Sequence, residues 1–125
     1  MNRTLIALLA ATTVVSLMLP GSALAGDAAA GKTVYEANCA SCHGTSGKGD
    51  GPVGSALNPP PRDFTVGDFK FDTDGDGKPG TDTDLTDVIK NGAMKYGGSA
   101  LMAPWPTLND AQVADIVAHI RSLKQ

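Results

Sequence analysis

The sequence predicts an all-α fold of three to five helices in one small domain. Three stretches show the spacing of apolar residues, the starting caps and the ending residues that helices need. Nowhere do apolar and polar residues alternate as they do in a strand, and no segment repeats. The stretches between the predicted helices are rich in glycine and proline, which interrupt regular structure.

Residues 1–25 have the pattern of a secretory signal peptide. Arg3 gives a positive start, an apolar run follows over residues 5–19, and small residues precede an expected cleavage point after Ala25. We therefore expect export to the periplasm and a mature domain of residues 26–125. An uncleaved anchor is the alternative, but this apolar run of 15 residues is shorter than the roughly 17–25 that span a bilayer.

The charge of the chain argues against nucleic acid as a partner. The formal net charge is −3, and loss of Arg3 with the signal peptide makes the mature chain more acidic. Nucleic-acid binding depends on Lys and Arg side chains that neutralise phosphates. After signal cleavage we expect no stable insertion into a membrane.

The first predicted helix covers residues 27–40, which are rich in alanine, lack proline and begin with Asp27. Gly31 lies inside this helix, where a glycine costs about 1 kcal/mol relative to alanine. A packing reason for this glycine is therefore expected, such as the close approach of another helix.

The residues Cys39-Ala-Ser-Cys-His43 carry the main functional signal. On a helix or tight turn, Cys39 and Cys42 share one face, so both thiols can bond to the vinyl groups of one haem while His43 reaches its iron. The alternatives are a disulfide, a redox dithiol or a zinc site. Zinc needs about four ligands, and the chain adds only His119 and carboxylates. The motif therefore predicts one covalently attached haem c.

Residues 44–61 are dense in glycine and proline and are predicted to form a loop around the haem on the side of His43. A flexible linker between two domains is the alternative. The roughly 40 residues before this loop are too few for a separate domain, so we favour the wrapping loop.

The acidic stretch from Asp72 to Gly77 matches the first half of a calcium loop. Asp72, Asp74 and Asp76 take positions 1, 3 and 5, and Gly77 takes the required glycine position. Position 12 is Thr83 in place of the bidentate glutamate. A solvated acidic turn is therefore favoured, and bound calcium is the alternative.

Two further helices are predicted, each from a capping box and an apolar stripe. Thr81 with Asp84 begins the first, which ends at Gly92, and Asn109 with Gln112 begins the second. Their core-facing residues are expected to be Leu85, Val88 and Ile89 in the first helix and Val113, Ile116, Val117 and Ile120 in the second.

The loop between these helices is stiffened by two prolines. Pro104 and Pro106 hold residues 96–106 extended and present Met102 and Trp105. Met94 carries the other thioether of the mature chain, but it follows a helix end and is expected to pack. Of the two methionines, Met102 is therefore the one that we favour for binding iron.

With the attachment motif in place, the mature chain resembles the small class I cytochromes c. The residues 58–64 and 69–71 are similar to a bacterial branch of that family. The other matching segments are Gly-Lys-Thr-Val-Tyr at 31–35, Gly51-Pro52, Met-Ala-Pro-Trp at 102–105, and the helix ends at 108–110 and 120–123.

The resemblance implies a class I cytochrome c fold, with helices wrapped around one covalent haem. It implies that Gly31 and Tyr35 of the first helix meet the last helix near Ile116 and His119. His119 stands where the family usually has tyrosine, and we expect it to be a buried, packed ring with no ligand role.

The resemblance also implies the iron ligands. His43 would be one axial ligand, with its ring proton accepted by the backbone of Pro52, and Met102 would be the other. The usual Met-Pro pair is interrupted by Ala103 here, which can shift the loop by one residue.

The sequence thus predicts a monomeric carrier of single electrons between a redox donor and a redox acceptor, and no enzyme. An iron with both axial positions filled leaves no place for a substrate. One alternative is a haem enzyme or gas sensor with an open sixth position, and another is a haem domain held as a subunit of one oxidoreductase. Arg62 and Trp105 are either donors to the haem propionates or packed surface residues.

Overall fold

A computed structural model describes residues 25–125, and residues 1–24, which hold most of the predicted signal peptide, lie outside the described residues. The described part is helical without a strand, which confirms the predicted all-α fold. None of the helices in this part is long and apolar enough to cross a bilayer. The helices are α1 (Ala28–Asn38), α2 (Ala40–His43), α3 (Asp82–Asn91) and α4 (Asp110–Ser122), with 3₁₀ turns at Gly54–Ala56 and Ala93–Tyr96.

Side-chain caps fix the start of each long helix. The carboxylate of Asp27 accepts two backbone N–H groups from the first turn of α1. Thr81 and Asp84 form a complete capping box at α3, and Asn109 and Gln112 form another at α4. The predicted helix starts are therefore confirmed.

Helices α1 and α4 cross in direct backbone contact at Gly31. A Cβ atom placed on Gly31 would overlap the backbone carbonyl of Asp115. One turn further along α1, the ring of Tyr35 meets the ring of His119 edge-on, with centroids 4.9 Å apart. His119 is buried, and its Nε2 atom has no hydrogen-bond partner among the described residues. The predicted crossing and the packed His119 ring are both confirmed.

The apolar core lies where α1, α3 and α4 meet. Tyr35, Val113 and Ile116 are fully buried. The rest of the core consists of Ala40, Phe64, Leu85, Ile89, Val117 and Ile120. Most of the predicted core stripe lies in this cluster, whereas Val88 is half-buried and lines a large cavity beside it.

A larger side chain at Gly31 should strongly destabilise the protein, because α1 and α4 are in backbone contact there. Gly31→Val should lower the free energy of unfolding by about 3 kcal/mol or more, because the added atoms have no space against the α4 backbone. Thermal unfolding of the haem-loaded protein measures this loss. The control is Ala30→Gly, at an exposed position of the same helix, which should cost only about 1 kcal/mol. Equal stability of Gly31→Val and wild type would contradict the close crossing.

Candidate haem-binding site

A cavity of about 890 Å³ lies between the attachment motif, α3 and the two long loops. This volume is at the upper end of the about 300–1,000 Å³ of small-molecule and cofactor sites. Cys39, Cys42 and His43 line the cavity together with Met102. The apolar part of the wall includes Leu57, Phe64, Leu85, Val88, Ile89, Trp105 and Ile120. A large flat apolar group with covalent anchors fits this lining.

The attachment motif is one tight turn at the end of α1. The backbone N–H of Cys39 still donates to Tyr35 at 2.7 Å, and the N–H groups of Cys42 and His43 both donate to the carbonyl of Cys39. The Tyr35 hydroxyl donates to the carbonyl of Gly44 at 2.8 Å, which ties the end of the turn to the core. The two thiols therefore reach the same cavity from a fixed backbone.

The thiol chemistry of the motif differs from that of a redox dithiol. Burial and, to a smaller extent, the nearby Cys42 thiol raise the pKa of the Cys39 thiol to about 11. Dithiols that exchange disulfides have lowered pKa values because the thiolate is the nucleophile. The geometry and the charge state of Cys39 therefore favour covalent attachment over disulfide exchange.

His43 is held as a neutral ring between an aromatic side chain and a backbone carbonyl. Its ring stacks on Phe64, with centroids 4.5 Å apart and 18° between the planes. Its Nδ1 atom lies 3.4 Å from the carbonyl oxygen of Arg62. Burial lowers the pKa of His43 below its usual range, against the opposing effect of this carbonyl. A proton on Nδ1 directed to Arg62 leaves the Nε2 lone pair available for a metal.

The prediction that the backbone of Pro52 accepts the ring proton of His43 is wrong, because the Nδ1 atom of His43 lies at the carbonyl of Arg62. The Pro52 carbonyl lies 3.4 Å from the hydroxyl of Ser55 instead. The chain after Gly51 folds back over α2, where the N–H of Val53 donates to the carbonyl of Ser41 at 2.9 Å. Residues 51–53 thus hydrogen-bond to the backbone of α2. The later segment at Arg62 is the one that lies beside the imidazole of His43.

The two candidate methionines have different surroundings. Met102 is half-buried and lines the cavity, whereas Met94 is 68% exposed, so the prediction that Met94 packs is wrong. The loop of Met102 is fastened to the end of α3, since the Met102 carbonyl accepts the N–H of Ala93 at 3.0 Å. The N–H of Trp105 likewise donates to the carbonyl of Ile89 at 2.9 Å. The structure thus brings Met102 to the same cavity as His43.

Arg62 and Trp105 both line the cavity, as do Lys48 and Lys70. Trp105 also packs against the apolar core. The guanidinium and indole groups are donors that suit carboxylates such as propionates. Sequence reasoning singled out Arg62 and Trp105 but missed the two lysines, which no spacing or motif marks.

The acidic turn brings together a different set of carboxylates from the one expected. Oxygen atoms of Asp72, Asp74 and Asp84 lie within 4.8 Å of one another, and Asp76 is outside this group. The carboxylate of Asp72 accepts backbone N–H groups of the turn itself. Calcium binding stays the alternative to the favoured solvated turn. If the turn binds calcium, added calcium should raise the melting temperature, and Asp74→Ala should abolish that rise. An equal response of both proteins would indicate a turn without calcium.

Asp84 fastens the acidic turn to α3. Its buried carboxylate accepts hydrogen bonds from the backbone and hydroxyl groups of both Thr73 and Thr81, at 2.6–2.9 Å. Desolvation acts to raise the pKa of Asp84, but these hydrogen bonds outweigh it and lower the pKa to about 2. This role follows from a long-range contact to Thr73, whereas the sequence indicated only the cap with Thr81.

The hydrogen bonds that the Asp84 carboxylate accepts should make the stability of the protein depend on pH in the acid range. The pKa of Asp84 in the folded protein, about 2, lies below the roughly 3.9 of an unfolded aspartate. The stabilisation of the fold by ionised Asp84 is therefore complete above about pH 4 and is lost as the pH falls toward 2. Asp84→Asn should lower the free energy of unfolding at pH 7 by about 2 kcal/mol and flatten this dependence. The control is the exposed Asp76→Asn, since Asp76 lies outside the group formed by Asp72, Asp74 and Asp84. Denaturant unfolding between pH 2 and 7, with a chelator present, measures both effects, and an unchanged pH profile in Asp84→Asn would contradict them.

Comparison with known proteins places the chain in one family. The Cytochrome c family model matches residues 28–124. Cytochrome c-554(547) of Halothiobacillus neapolitanus is 37% identical over 103 residues, which cover 80% of this chain and 100% of that protein. Cytochrome c-555 of Chlorobaculum tepidum is 34% identical, with 84% of each chain covered.

Similar domains also occur in longer proteins. The chain is 32% identical to the CcoP subunit of a cbb3-type cytochrome c oxidase from Azospirillum brasilense, and spans 30% of that subunit. A solved structure of a reducing HAO-like protein complex from Kuenenia stuttgartiensis matches with a TM-score of 0.67 and 36% identity. That match covers 81% of this chain and 44% of the other. The family model, the fully covered relatives and the all-helical fold agree, and the chain belongs to the cytochrome c family, whose members hold haem c covalently and transfer electrons.

Proposed function

We propose that the protein is a periplasmic carrier of single electrons. One haem is attached through Cys39 and Cys42, and His43 and Met102 are its axial ligands. The observation that carries the proposal is the common cavity: the attachment turn and Met102 both line it, while the competing Met94 is exposed.

The residues of the cavity have separate tasks in this function. Bound haem supplies one-electron redox chemistry. The thioethers at Cys39 and Cys42 prevent loss of the cofactor, and the apolar wall limits the access of water. His43 and Met102 would both hold the iron, and no site for a substrate would then remain on the metal. Methionine as an axial ligand also raises the reduction potential.

The proposal includes removal of residues 1–25 during export. The first described residues support a boundary at this point, because Gly26 lies against the backbone of Ala114 and the N–H of Asp27 donates to Asp115 at 2.7 Å. These contacts support a mature chain that starts at Gly26. The intact mass of exported protein should equal residues 26–125 plus one haem, and a mass that retains residues 1–25 would indicate an anchor.

Electrochemistry tests the carrier function. The holoprotein on an electrode should give one reversible one-electron wave, and a peroxidase assay should show no substantial turnover. Substantial turnover of peroxide by the wild type would favour a haem enzyme with an open iron.

A haem domain held as a subunit is the second candidate, because similar domains form part of the CcoP subunit and of a chain in the HAO-like complex. Size-exclusion chromatography of protein purified gently from its own cells distinguishes the two. The carrier should elute as a monomer of the mature mass. Stable co-elution with one oxidoreductase at moderate salt would favour the subunit.

A further inference from the structure

We infer that Phe64 is a positioning residue for His43, because its ring fixes the orientation of the imidazole plane. The inference deepens the proposed function and requires His43 as an iron ligand, but it does not require Met102. Phe64 belongs to the segment 58–64 that carries the family resemblance, but the sequence indicated neither a role for it nor its contact with the motif.

The contact between the two rings is close and nearly parallel. Their centroids are 4.5 Å apart, with 18° between the planes, at the short end of the about 4.5–7 Å of interacting aromatic pairs. Phe64 is only 8% exposed. Its backbone N–H donates to the carbonyl of Gly47 at 2.7 Å, so the chain that carries the ring is also fixed.

Two further aromatic rings hold Phe64 in place. Tyr35 meets it edge-on at 6.4 Å, and Phe69 lies against it at 5.9 Å. Tyr35 also donates its hydroxyl to the carbonyl of Gly44, the residue after His43. The same buried tyrosine therefore fixes the end of the motif and the ring that stacks on the motif.

The segment that carries Phe64 also holds the edge of the imidazole. The Arg62 carbonyl lies 3.4 Å from Nδ1 of His43, and Phe64 covers the face of the ring two residues later. Between them, Asp63 accepts hydrogen bonds from the backbone and hydroxyl groups of Thr65. The Arg62 carbonyl fixes the direction of the Nδ1 edge and the Phe64 ring fixes the plane, so the imidazole of His43 has little freedom to rotate.

The orientation of an axial imidazole matters because it sets the direction of electronic asymmetry at the iron. Groups that contact a metal-bound histidine from outside orient it and tune the metal. In the oxidised protein this asymmetry spreads the resonances of the haem methyl groups in proton NMR. Rotation of the imidazole should therefore change their order or spacing, while mere loosening of the fold should not.

The test compares three variants of the oxidised holoprotein. Phe64→Leu removes the stacking ring and keeps an apolar side chain, so the haem methyl resonances should move to a different pattern. Phe64→Tyr keeps the ring and should retain the wild-type pattern. Phe69→Leu is the matched control, because Phe69 also lines the cavity but its ring packs on Phe64. Because Phe69→Leu removes only one of the two rings that pack on Phe64, it should change the methyl pattern much less than Phe64→Leu does.

A measurement on the wild type covers the case in which Phe64→Leu fails to fold. Nuclear Overhauser effects should connect the ring protons of Phe64 with those of His43. Absence of these effects would overturn the inference. So would a wild-type methyl pattern in Phe64→Leu, or an equal change in Phe69→Leu. Loss of methionine ligation alone would contradict the proposed carrier and would itself change the methyl pattern, whereas the Overhauser contact between Phe64 and His43 does not depend on Met102 and still tests the inference.

Discussion

The double variant Cys39→Ser/Cys42→Ser should be colourless and largely unfolded. Without attachment the cavity of about 890 Å³ would have to remain empty, fill with water or collapse. Each of these outcomes leaves the apolar wall of the cavity without the group that would cover it, a loss that is large against the ~5–15 kcal/mol stability of a typical domain. The fold therefore depends on its cofactor, as metal-dependent domains depend on their metal.

The wild type and the double variant are compared by mass and by circular dichroism. Denatured wild type should retain the mass of one haem and resist extraction by acidic organic solvent. The double variant should retain none and lose its helical signal. Extraction of the haem from denatured wild type, or a folded double variant without haem, would contradict covalent attachment as the basis of the fold.

Met102→Ala should open the iron to external ligands. A ligand that enters only a minor open state has its affinity reduced by the population of that state. With an open state of about 0.1–10%, removal of Met102 should raise the affinity for carbon monoxide by about 10- to 1,000-fold. The reduction potential should fall, because the thioether that raises it is absent.

Met94→Ala is the matched control for this experiment. Met94 is a thioether in the same half of the chain but is 68% exposed, so its removal should change neither the potential nor carbon monoxide binding. Redox titration and optical titration with carbon monoxide measure both quantities. An effect of Met94→Ala as large as that of Met102→Ala would contradict the choice of Met102.

The long helices and their caps were predictable because their signals are local. Thr81 with Asp84 and Asn109 with Gln112 satisfy backbone groups within four residues, and this chemistry depends little on the rest of the fold. Gly31 was predictable in a different way, since a costly residue inside a helix indicates close packing.

The site was predictable only in part, because its outer contacts join distant segments. Cys39, Cys42 and His43 are adjacent in sequence. The carbonyl of Arg62, the ring of Phe64 and the bond from Thr73 to Asp84 arise when loops fold over the motif and α3. A loop rich in glycine and proline has no periodic pattern from which its path could be predicted. For this reason the backbone of Pro52 was expected beside His43, where the structure has the carbonyl of Arg62.

The most direct test of the central claim, an iron closed by His43 and Met102, is one set of optical spectra of the wild-type holoprotein. The oxidised form should show the weak near-infrared band of sulfur bound to iron, and the spectrum of the reduced form should change little when carbon monoxide is added. Absence of the band together with ready binding of carbon monoxide would contradict the carrier and favour a haem protein with an open sixth position.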